Sequence, residues 1–381
     1  MIYNILIGIK KYTNVGTRPK RRKDMKRLNL AIIGQGRSGK DIHGTYYLSE
    51  KNKYYTVKYV VESDERRREI SQKRYEGCQT FATYQELFDK KDIDIVVNAS
   101  YSNMHFDITK DLLEHGFNVL VEKPFCRNLY ECDTLINLAK KKNLLLTVFQ
   151  QTFFAPYYEY TKALMNSDKL GEIKQISIRF NGFARRWDWQ TLQKAMGGNI
   201  YNTGPHPIGM ALGFLDFDSN ADVVFSTLAN TEMSSGDSDD FSKIIIKTPN
   251  KPVIDIEINN TDAYSDYNVK LQGTRGTFKT TTMKYKMKYI IPNENPKRPY
   301  VETFLQDAEG NPMYCSEKLI SHEEEGEFQG TAFDVGTEKL YEDMYFALTE
   351  GKALRYDINE YKQVIGVIDR VHADNPLTVK F

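Results

Sequence analysis

The chain has 381 residues, more than one hydrophobic core usually serves, so two domains are expected. A net charge of +1 gives no general attraction to nucleic acid, and no apolar run is long enough to span a membrane. The four cysteines are scattered without a C-x-x-C pair, so we expect no disulfide framework, no metal site and a reducing, cytoplasmic setting.

Residues 1–24 form a basic N-terminal extension with seven Lys or Arg and one Asp. Its charges follow an apolar stretch at residues 5–7, which is the reverse of the order in a signal peptide. Two interpretations stay open: an upstream start codon, with the working protein beginning near Met25, or a basic docking arm. Neither makes the segment part of the predicted fold.

Apolar segments alternate with segments of helical spacing up to about residue 150. The predicted strands are 28–33, 56–61, 93–99, 118–121 and 144–149, and the predicted helices are the segment ending near 49, then 66–75, 84–88, 106–115 and 129–142. Strands separated by helices are typical of a parallel, doubly wound α/β sheet. We therefore predict one such domain over residues 25–150.

The pattern changes after residue 150, where short alternating segments are separated by turn residues. The predicted strands are 173–180, 223–228, 243–247, 253–258 and 269–272, with turns at 236–237, 249–250 and 273–276 between them. Helical spacing returns at 337–348 and 359–371. This indicates a C-terminal α+β domain over residues 151–381 with an open, largely antiparallel sheet, whose last helices can pack back on the first domain.

A glycine motif, Gly34-x-Gly36-x-x-Gly39, stands between the first predicted strand and the first helix. In this context the first glycine makes the turn, the second lets the backbone approach a pyrophosphate, and the third lets the helix pack on the strand. The helix start offers N–H donors to the phosphates. The pattern predicts a Rossmann dinucleotide site whose loop residues are Gly34, Gly36, Arg37, Ser38 and Gly39.

Glu62 ends the second predicted strand, 23 residues after Gly39. A carboxylate at this place accepts hydrogen bonds from the adenosine ribose and repels a 2′-phosphate, so NAD is preferred over NADP. A plain glycine turn with a surface glutamate is the simpler alternative, and a methyltransferase also places an acid on ribose. The motifs that follow do not fit a methyltransferase.

Two further motifs carry a resemblance to a known family. Residues 118–124 read N-V-L-V-E-K-P, and residues 197–206 read G-G-N-I-Y-N-T-G-P-H, close to G-G-x-x-x-D-x-G-x-H. With the glycine loop they resemble the Gfo/Idh/MocA oxidoreductase family, from Met25 to the C-terminus. The resemblance implies a Rossmann domain, then an open mixed sheet whose flat face often mediates oligomers. It also implies oxidation or reduction of a secondary carbinol on a sugar, inositol or glycoside.

The resemblance implies catalytic roles for Lys123 and His206. Pro124 keeps Lys123 extended at a strand's carboxyl end, where its ammonium can hydrogen-bond the reacting oxygen. His206 follows Pro205 in a predicted first helical turn, where the helix dipole favours the neutral imidazole that a general base needs. The alternatives are a surface lysine paired with Glu122 and a structural histidine.

Asn202 stands where the family pattern has an aspartate. An amide can orient an imidazole or bind a hydroxyl, but it cannot stabilise an imidazolium by its charge. We expect Asn202 to position substrate while Lys123 and His206 handle the proton. A second acid, common three residues after the histidine, is replaced by Gly209.

The remaining candidates fall into two groups. Those expected against the cofactor are Ser100, Asn103, His105 and Glu122, although Tyr101 replaces a common proline in their loop. Those expected against the substrate are Arg186, Trp187 and Trp189, from a run that holds both tryptophans of the chain. Such aromatics stack on sugar rings, but an aromatic interface or a loop anchor explains them equally well.

Two functions are compatible with these residues. The first is an NAD-dependent dehydrogenase acting on a sugar, polyol or glycoside. The second is a non-catalytic sensor that keeps both pockets, which the loss of the acid at Asn202 favours and the retention of Lys123 and His206 disfavours. We also expect a homodimer or homotetramer, because the second sheet would otherwise expose an apolar face.

Overall fold

The computed structural model describes residues 26–381, which form two sheets flanked by helices. The predicted basic extension lies outside the described residues. The first sheet has the parallel order β3-β2-β1-β4-β5-β6. Its strands are β1 (Leu28–Ile33), β2 (Tyr55–Val61), β3 (Gln79–Phe81), β4 (Ile95–Asn98), β5 (Val119–Glu122) and β6 (Leu146–Phe149).

Helices cover both faces of this sheet, as doubly wound connectivity requires. A helical segment (Arg37–His43) leads directly into α1 (Gly44–Leu48), and α2 (Glu65–Arg74), α3 (His105–Glu114) and α4 (Leu129–Lys142) follow. The side chains of Asp64 and Asn128 cap α2 and α4 by accepting backbone N–H groups. Strands β4, β5 and β6 are buried along their whole length, which explains their continuous apolar sequences.

The second sheet is mixed and has the order β14-β13-β12-β11-β7-β10-β9-β8. Strands β7 and β10 run parallel, and the other neighbours are antiparallel. Its strands are β7 (Ile173–Arg179), β8 (Asp222–Ala229), β9 (Phe241–Lys247), β10 (Val253–Asn259), β11 (Val269–Gly273), β12 (Gly276–Thr280), β13 (Lys284–Tyr289) and β14 (His322–Glu327). The predicted fold class, a Rossmann sheet followed by a largely antiparallel sheet, is confirmed.

The mixed-sheet region also carries helices, of which the last contacts strands of both sheets. These helices are α5 (Pro156–Met165), α6 (Asn199–Asn202), α7 (Pro205–Phe214), α8 (Thr337–Glu350) and α9 (Ile358–Asp374). Helix α9 packs against α4 and β6 of the parallel sheet and against α7 and β8 of the mixed region. Among residues 26–381, no helix combines the length and the apolar character needed to cross a membrane.

The open face of the mixed sheet differs from our expectation of an apolar surface. Its central strands present Arg179, Lys243, Asp255 and Glu257, which form ion pairs across β7, β9 and β10. Lys243 Nζ lies 2.7 Å from Asp255 Oδ1 and 3.4 Å from Glu257 Oε2. Most apolar residues of these strands alternate onto the other, buried face, but Ile245, Val253 and Phe225 share the open face with the ion pairs, and the last two are exposed. This surface is therefore mixed, with charged and apolar parts.

Several elements were not predicted. Strand β14 has the sequence HEEEGE, and its glutamates pair with the lysines of β13, so charge and not apolar alternation holds this edge of the sheet. The segment at 236–237 was predicted as a simple turn. The chain does bend there, but the bend is buried, and Asp237 Oδ1 accepts the backbone N–H of Gln193 at 2.9 Å while Oδ2 accepts that of Lys380 at 2.9 Å.

Candidate active site

The carboxyl ends of the parallel strands form one edge of the molecule, which we call the carboxyl edge. Gly34, Glu62, Ser100, Lys123 and Gln150 follow β1, β2, β4, β5 and β6 respectively at this edge. Sequential order reverses between β1 and β4, and ligands of doubly wound sheets bind at such a switch point. The topology therefore brings the predicted cofactor and catalytic residues together.

The glycine loop has the close contacts that its motif implies. A Cβ at Gly34, whose φ is +91°, would stand 2.4 Å from Ala99 O, and a Cβ at Gly39 would stand 1.9 Å from Gly34 O. A Cβ at Gly36 would meet nothing within 4 Å. The first and third glycines are thus needed for packing within the protein, whereas the second faces open space that a pyrophosphate fits.

The helical segment after this loop is left open at its start. Arg37 is exposed, Ser38 is half-buried, and no described side chain caps the first turn at Gly36. The first N–H groups of a helix without such a cap are available to a bound anion. These residues fit the phosphates of a dinucleotide.

Glu62 is buried beside the loop, with 7% of its surface exposed. Its Oε2 accepts the backbone N–H of Gln35 at 2.8 Å, and its Oε1 accepts that of Asp64 at 3.1 Å. Arg67 Nη1 lies 3.8 Å from the same carboxylate. Each carboxylate oxygen has a further lone pair, so the group can still accept a ribose hydroxyl.

The loop after β4 is tied to the strand end that carries Lys123. Ser100 Oγ donates to Asn98 Oδ1 at 2.7 Å, and His105 Nδ1 lies 2.8 Å from Pro124 O. Burial lowers the pKa of His105, so its neutral imidazole donates to that carbonyl. Asn103 lies in the short exposed turn between these residues. His105 therefore supports the Lys123 segment from inside the protein.

Glu122 is buried beneath Lys123. Its Oε1 lies 3.1 Å from His43 Nε2, and His43 Nδ1 is bonded to the hydroxyl of Tyr341 at 2.7 Å. Tyr47 also donates to this hydroxyl, at 2.5 Å. Burial raises the pKa of Glu122, but His43 and Lys123 outweigh it and hold that pKa below its usual value. Glu122 is thus an ionised carboxylate under the site.

Lys123 points across to the second motif. Its Nζ donates to the backbone oxygen of Asn202 at 2.7 Å and approaches Asn202 Oδ1 at 3.5 Å. Glu122 accepts the backbone N–H of Lys123 at 3.0 Å, whereas the lysine ammonium bonds Asn202. Lys123 is therefore not a surface lysine whose ammonium pairs with Glu122. Burial, together with the charges of Arg37 and Arg186, lowers the pKa of Lys123. The Lys123–Pro124 peptide is cis.

His206 lies in the first turn of α7, which begins at Pro205 as the sequence indicated. Its Nδ1 is 3.2 Å from Thr152 Oγ1 and 3.4 Å from Gln150 Nε2. Burial first, and then the charge of Lys123, lowers the pKa of His206 to about 3. The imidazole is therefore neutral at ordinary pH, and burial, not the helix dipole that we expected, is the main cause.

Asn202 belongs to a hydrogen-bonded series that we call the amide chain: Arg186, Gln190, Asn202 and Lys123. Gln190 Nε2 donates to Asn202 Oδ1 at 2.9 Å, and Gln190 Oε1 accepts from Arg186. Arg186 is also paired with Asp188 at 2.8 Å. The amide chain runs from the exposed 185–190 segment to the head of Lys123.

The two tryptophans occupy different environments. Trp187 is 77% exposed, and Trp189 is half-buried with its ring 5.0 Å from that of Tyr101 in an edge-to-face arrangement. Tyr101 follows β4, so this contact links the 185–190 segment to the carboxyl edge. Trp189 is placed as a loop anchor, whereas Trp187 is free to meet a ligand.

Sequence reasoning missed the supporting residues of the site. Gln150 follows β6 directly, so the rule for strand ends pointed to it, and Thr152 is two residues further along. His43 and Tyr341 gave no such signal, because 298 positions separate them in the sequence. In the described part of the chain, no group of three His, Cys, Asp or Glu side chains is arranged to hold a metal ion.

Comparison with known families agrees with this geometry. Residues 28–150 match the model of an oxidoreductase family with an NAD-binding Rossmann fold, and residues 158–279 match the Gfo/Idh/MocA C-terminal domain. The chain belongs to the Gfo/Idh/MocA oxidoreductase family. It is therefore an enzyme of the dehydrogenase and reductase class with an NAD(P)-binding Rossmann fold.

Individual relatives are distant. An uncharacterized oxidoreductase of Schizosaccharomyces pombe is 24% identical over 66% of this chain and 70% of its own length. The scyllo-inositol 2-dehydrogenase (NADP(+)) of Bacillus subtilis is 23% identical over 51% of this chain and 53% of its own length. The crystal structure of an NAD-binding protein from Listeria innocua superposes with a TM-score of 0.75 and 20% identity, covering 92% of this chain and 98% of that one.

Proposed function

We propose that this protein is an NAD-dependent dehydrogenase or reductase of a secondary carbinol on a sugar, inositol or glycoside. The observation that carries the proposal is the meeting of Lys123, Asn202 and a neutral His206 at the carboxyl edge, beside the glycine loop. A dehydrogenase of inositol among the relatives supports a polyhydroxylated substrate.

The residues present fit a dinucleotide. Gly36 faces open space, the helix start is uncapped, and Glu62 offers a buried carboxylate to a ribose diol. When bound, NAD supplies the group that accepts or gives the hydride. Glu62 favours NAD over NADP, in contrast to the NADP-dependent relative. Ser100, Asn103, His105 and Glu122 are proposed to border the nicotinamide side of the same site.

Lys123 and His206 are proposed to act together on the reacting oxygen, Lys123 as a hydrogen-bond donor and His206 as the general base. An ammonium has three donors, and two of them point at Asn202 in this structure, which leaves one for a substrate oxygen. That donor stabilises alkoxide character as the hydride leaves. The neutral His206 takes the hydroxyl proton as general base. Asn202, Arg186, Trp187 and Trp189 are proposed to bind the remaining hydroxyls and the ring.

A sensor without turnover is the second candidate. The observation that favours it is Asn202, an amide where the family motif has an acid. A protein that only binds has no need of the ammonium of Lys123 and a depressed imidazole pKa at His206 in one place. We therefore place catalysis first.

The proposal extends to the organisation of the chain. Residues 25–150 are proposed as the cofactor domain and residues 151–381 as the substrate and oligomerisation domain, in a cytoplasmic homodimer or homotetramer. The open sheet face, where Arg179 and Lys243 pair with Asp255 and Glu257, is proposed as the contact surface between the subunits.

The test combines a substrate screen with a histidine variant. Purified protein is mixed with NAD, and separately with NADP, and a panel of sugars, inositols and glycosides is screened by nicotinamide absorbance. We expect turnover with NAD on at least one compound and a loss of about 100-fold or more in His206→Ala, as is typical for a general base. His115→Ala, at an exposed histidine, is the matched control and should leave turnover unchanged.

The pH profile adds a second readout for the same residue. A base whose pKa is lowered to about 3 stays deprotonated above about pH 4, so kcat/KM should show no fall between pH 8 and pH 5 that depends on His206. An acidic limb near pH 6.5 that disappears in His206→Ala would contradict the lowered pKa, while still identifying His206 as the base; a loss of less than tenfold in His206→Ala would contradict the general-base assignment itself. Cofactor binding without turnover on any compound would instead favour the sensor.

A further inference from the structure

A small polar cavity lies behind Asn202, on the side away from the parallel sheet. It is lined by Arg186, Gln190 and Asn202 of the amide chain, and by Gly198, Ser238 and Asp239 from the mixed-sheet region. Its volume is about 10 Å³, which is the room that one water molecule needs. The cavity is therefore too small for a substrate and large enough for a single solvent molecule.

Asp239 is the buried group that faces this cavity. It is 2% exposed, and its Oδ2 accepts the backbone N–H of Ile200 at 2.8 Å and the hydroxyl of Ser242 at 3.0 Å. Its Oδ1 has no hydrogen-bond partner among residues 26–381. A Cβ at Gly198 would stand 2.1 Å from this Oδ1, so the open atom points to the glycine that lines the cavity.

A second unsatisfied atom is found at the same place. Ser238 Oγ is buried and has no partner within the described chain. Burial, reinforced by the neighbouring carboxylate of Asp240, raises the pKa of Asp239 to about 7, although Ile200 and Ser242 oppose the shift. Buried polar atoms of folded proteins are bonded to protein or to ordered water, and a polar cavity of this size is where such water is found.

We propose that this cavity is a built site for one water molecule, which donates to Asp239 Oδ1 and connects that carboxyl to the amide chain. On this proposal, which rests on the proposed function, Asp239 is a positioning residue for Asn202 and Lys123. It places an acid behind the position where the family motif has an aspartate and this chain has an amide. The side chain acts through the water and through Asn202, and does not touch the substrate.

The consequence concerns the orientation of two groups. Gln190 donates to Asn202 Oδ1 at 2.9 Å, and Lys123 Nζ approaches the same oxygen at 3.5 Å while its 2.7 Å bond goes to the Asn202 backbone oxygen. The orientation of the amide therefore acts on the lysine head through Oδ1, and the backbone bond holds the head in place. A water held by Asp239 would hold the side of the amide chain that faces the cavity. Networks of this kind lose more than one bond when one member changes polarity, and small displacements at a reacting centre are costly in rate.

Asp239→Asn is the variant that tests the role. The amide oxygen can still accept from Ile200 and Ser242, while a donor replaces the acceptor at the cavity. At pH 9, where a carboxyl with a pKa of about 7 is ionised and accepts, we expect kcat to fall about tenfold, with KM for NAD and the melting temperature unchanged. Asp237→Asn is the matched control, because Asp237 is equally buried on the same segment but bonds Gln193 and Lys380 and does not line the cavity.

A high-resolution crystal structure of the wild-type protein supplies a readout that needs no turnover. Density for one water within hydrogen-bond distance of Asp239 Oδ1 supports the site, and a dry cavity overturns it. An unchanged kcat in Asp239→Asn, or an equal loss in Asp237→Asn, overturns the positioning role. If the wild-type protein turns over no carbinol, the proposed function fails, and the crystal structure still decides whether the water site exists.

Discussion

The carboxyl edge and the amide chain hold the same candidate site by different means. At the carboxyl edge, backbone geometry places the groups: strand ends carry Glu62 and Lys123, and the loop turns at Gly34, where a side chain would collide with Ala99. Along the amide chain, side chains hold one another, from Arg186 through Gln190 to Asn202. The fold therefore places the proposed cofactor side through its backbone, whereas side-chain hydrogen bonds place the proposed substrate side.

This difference has a practical meaning for specificity. Backbone positions change little when side chains are exchanged, so the cofactor side is expected to tolerate sequence change outside its glycines and its acid. The amide chain depends on the donors and acceptors of each member, and one substitution disturbs its neighbours. We expect substrate preference to be altered at residues 186–202 and cofactor preference at the carboxyl edge.

Lys123, the residue where the two regions meet, should show the largest effect. In Lys123→Met we expect kcat to fall by about 100- to 1000-fold, because the donor to the developing oxyanion is lost while the chain length is kept. Turnover on the substrate found in the screen measures the loss, and fluorescence titration with NADH should show nearly unchanged cofactor binding. Lys91→Met, at an exposed lysine, serves as control, and a fall below tenfold in Lys123→Met would refute the catalytic role.

Two glycine variants separate packing from cofactor contact within the carboxyl edge. Gly36→Ala adds a Cβ in open space, so its melting temperature should be unchanged while the Kd for NAD rises by about 10- to 100-fold, the worth of a charge-assisted hydrogen bond. Gly39→Ala places a Cβ 1.9 Å from Gly34 O and should lower the free energy of unfolding by about 3 kcal/mol. Equal losses of stability in both variants would show that the loop is not shaped for a pyrophosphate.

Glu62 should give the smallest effect of the three. Glu62→Gln keeps one acceptor oxygen beside Gln35 and Asp64 but removes the charge, so we expect the preference for NAD over NADP to fall by about tenfold. The ratio of kcat/KM for the two cofactors measures this change. Glu65→Gln, at an exposed glutamate of α2, is the control. A wild-type protein that already prefers NADP would refute the NAD assignment.

Much of the fold could be predicted because its determinants are local. Continuous apolar runs with turn residues between them identified β1, β2, β4, β5 and β6 to within a few residues, and Pro205 correctly indicated the start of α7. The edge strand β14 and its neighbour β13 were missed, since lysines and glutamates paired across strands carry no apolar period. The open face of the mixed sheet was expected to be apolar. Its ion pairs join neighbouring strands, and the sequence does not tell which strands are neighbours.

The site could be predicted only where a motif holds its residues close in sequence. The meeting of Lys123 with Asn202 depends on how two sheets pack, and local spacing does not contain that information. Gln190 belongs to the unusual 185–190 run, but its partner could not be inferred before the structure placed it. Asp239 lay between the predicted turn at 236–237 and the predicted strand at 243–247 and was not singled out, because the polar composition of this stretch is the same whether it faces solvent or a buried cavity.

Tyr341 connects helix α8 to the Rossmann domain by hydrogen bonds. It lies on α8, yet its hydroxyl is bonded to His43 and Tyr47 of the first helical segments, and its backbone oxygen accepts from Tyr55 at 2.8 Å. Movement of α8 away from the parallel sheet would separate these buried polar partners without giving them water. We therefore expect α8, although it comes late in the sequence, to move with the Rossmann domain as one unit.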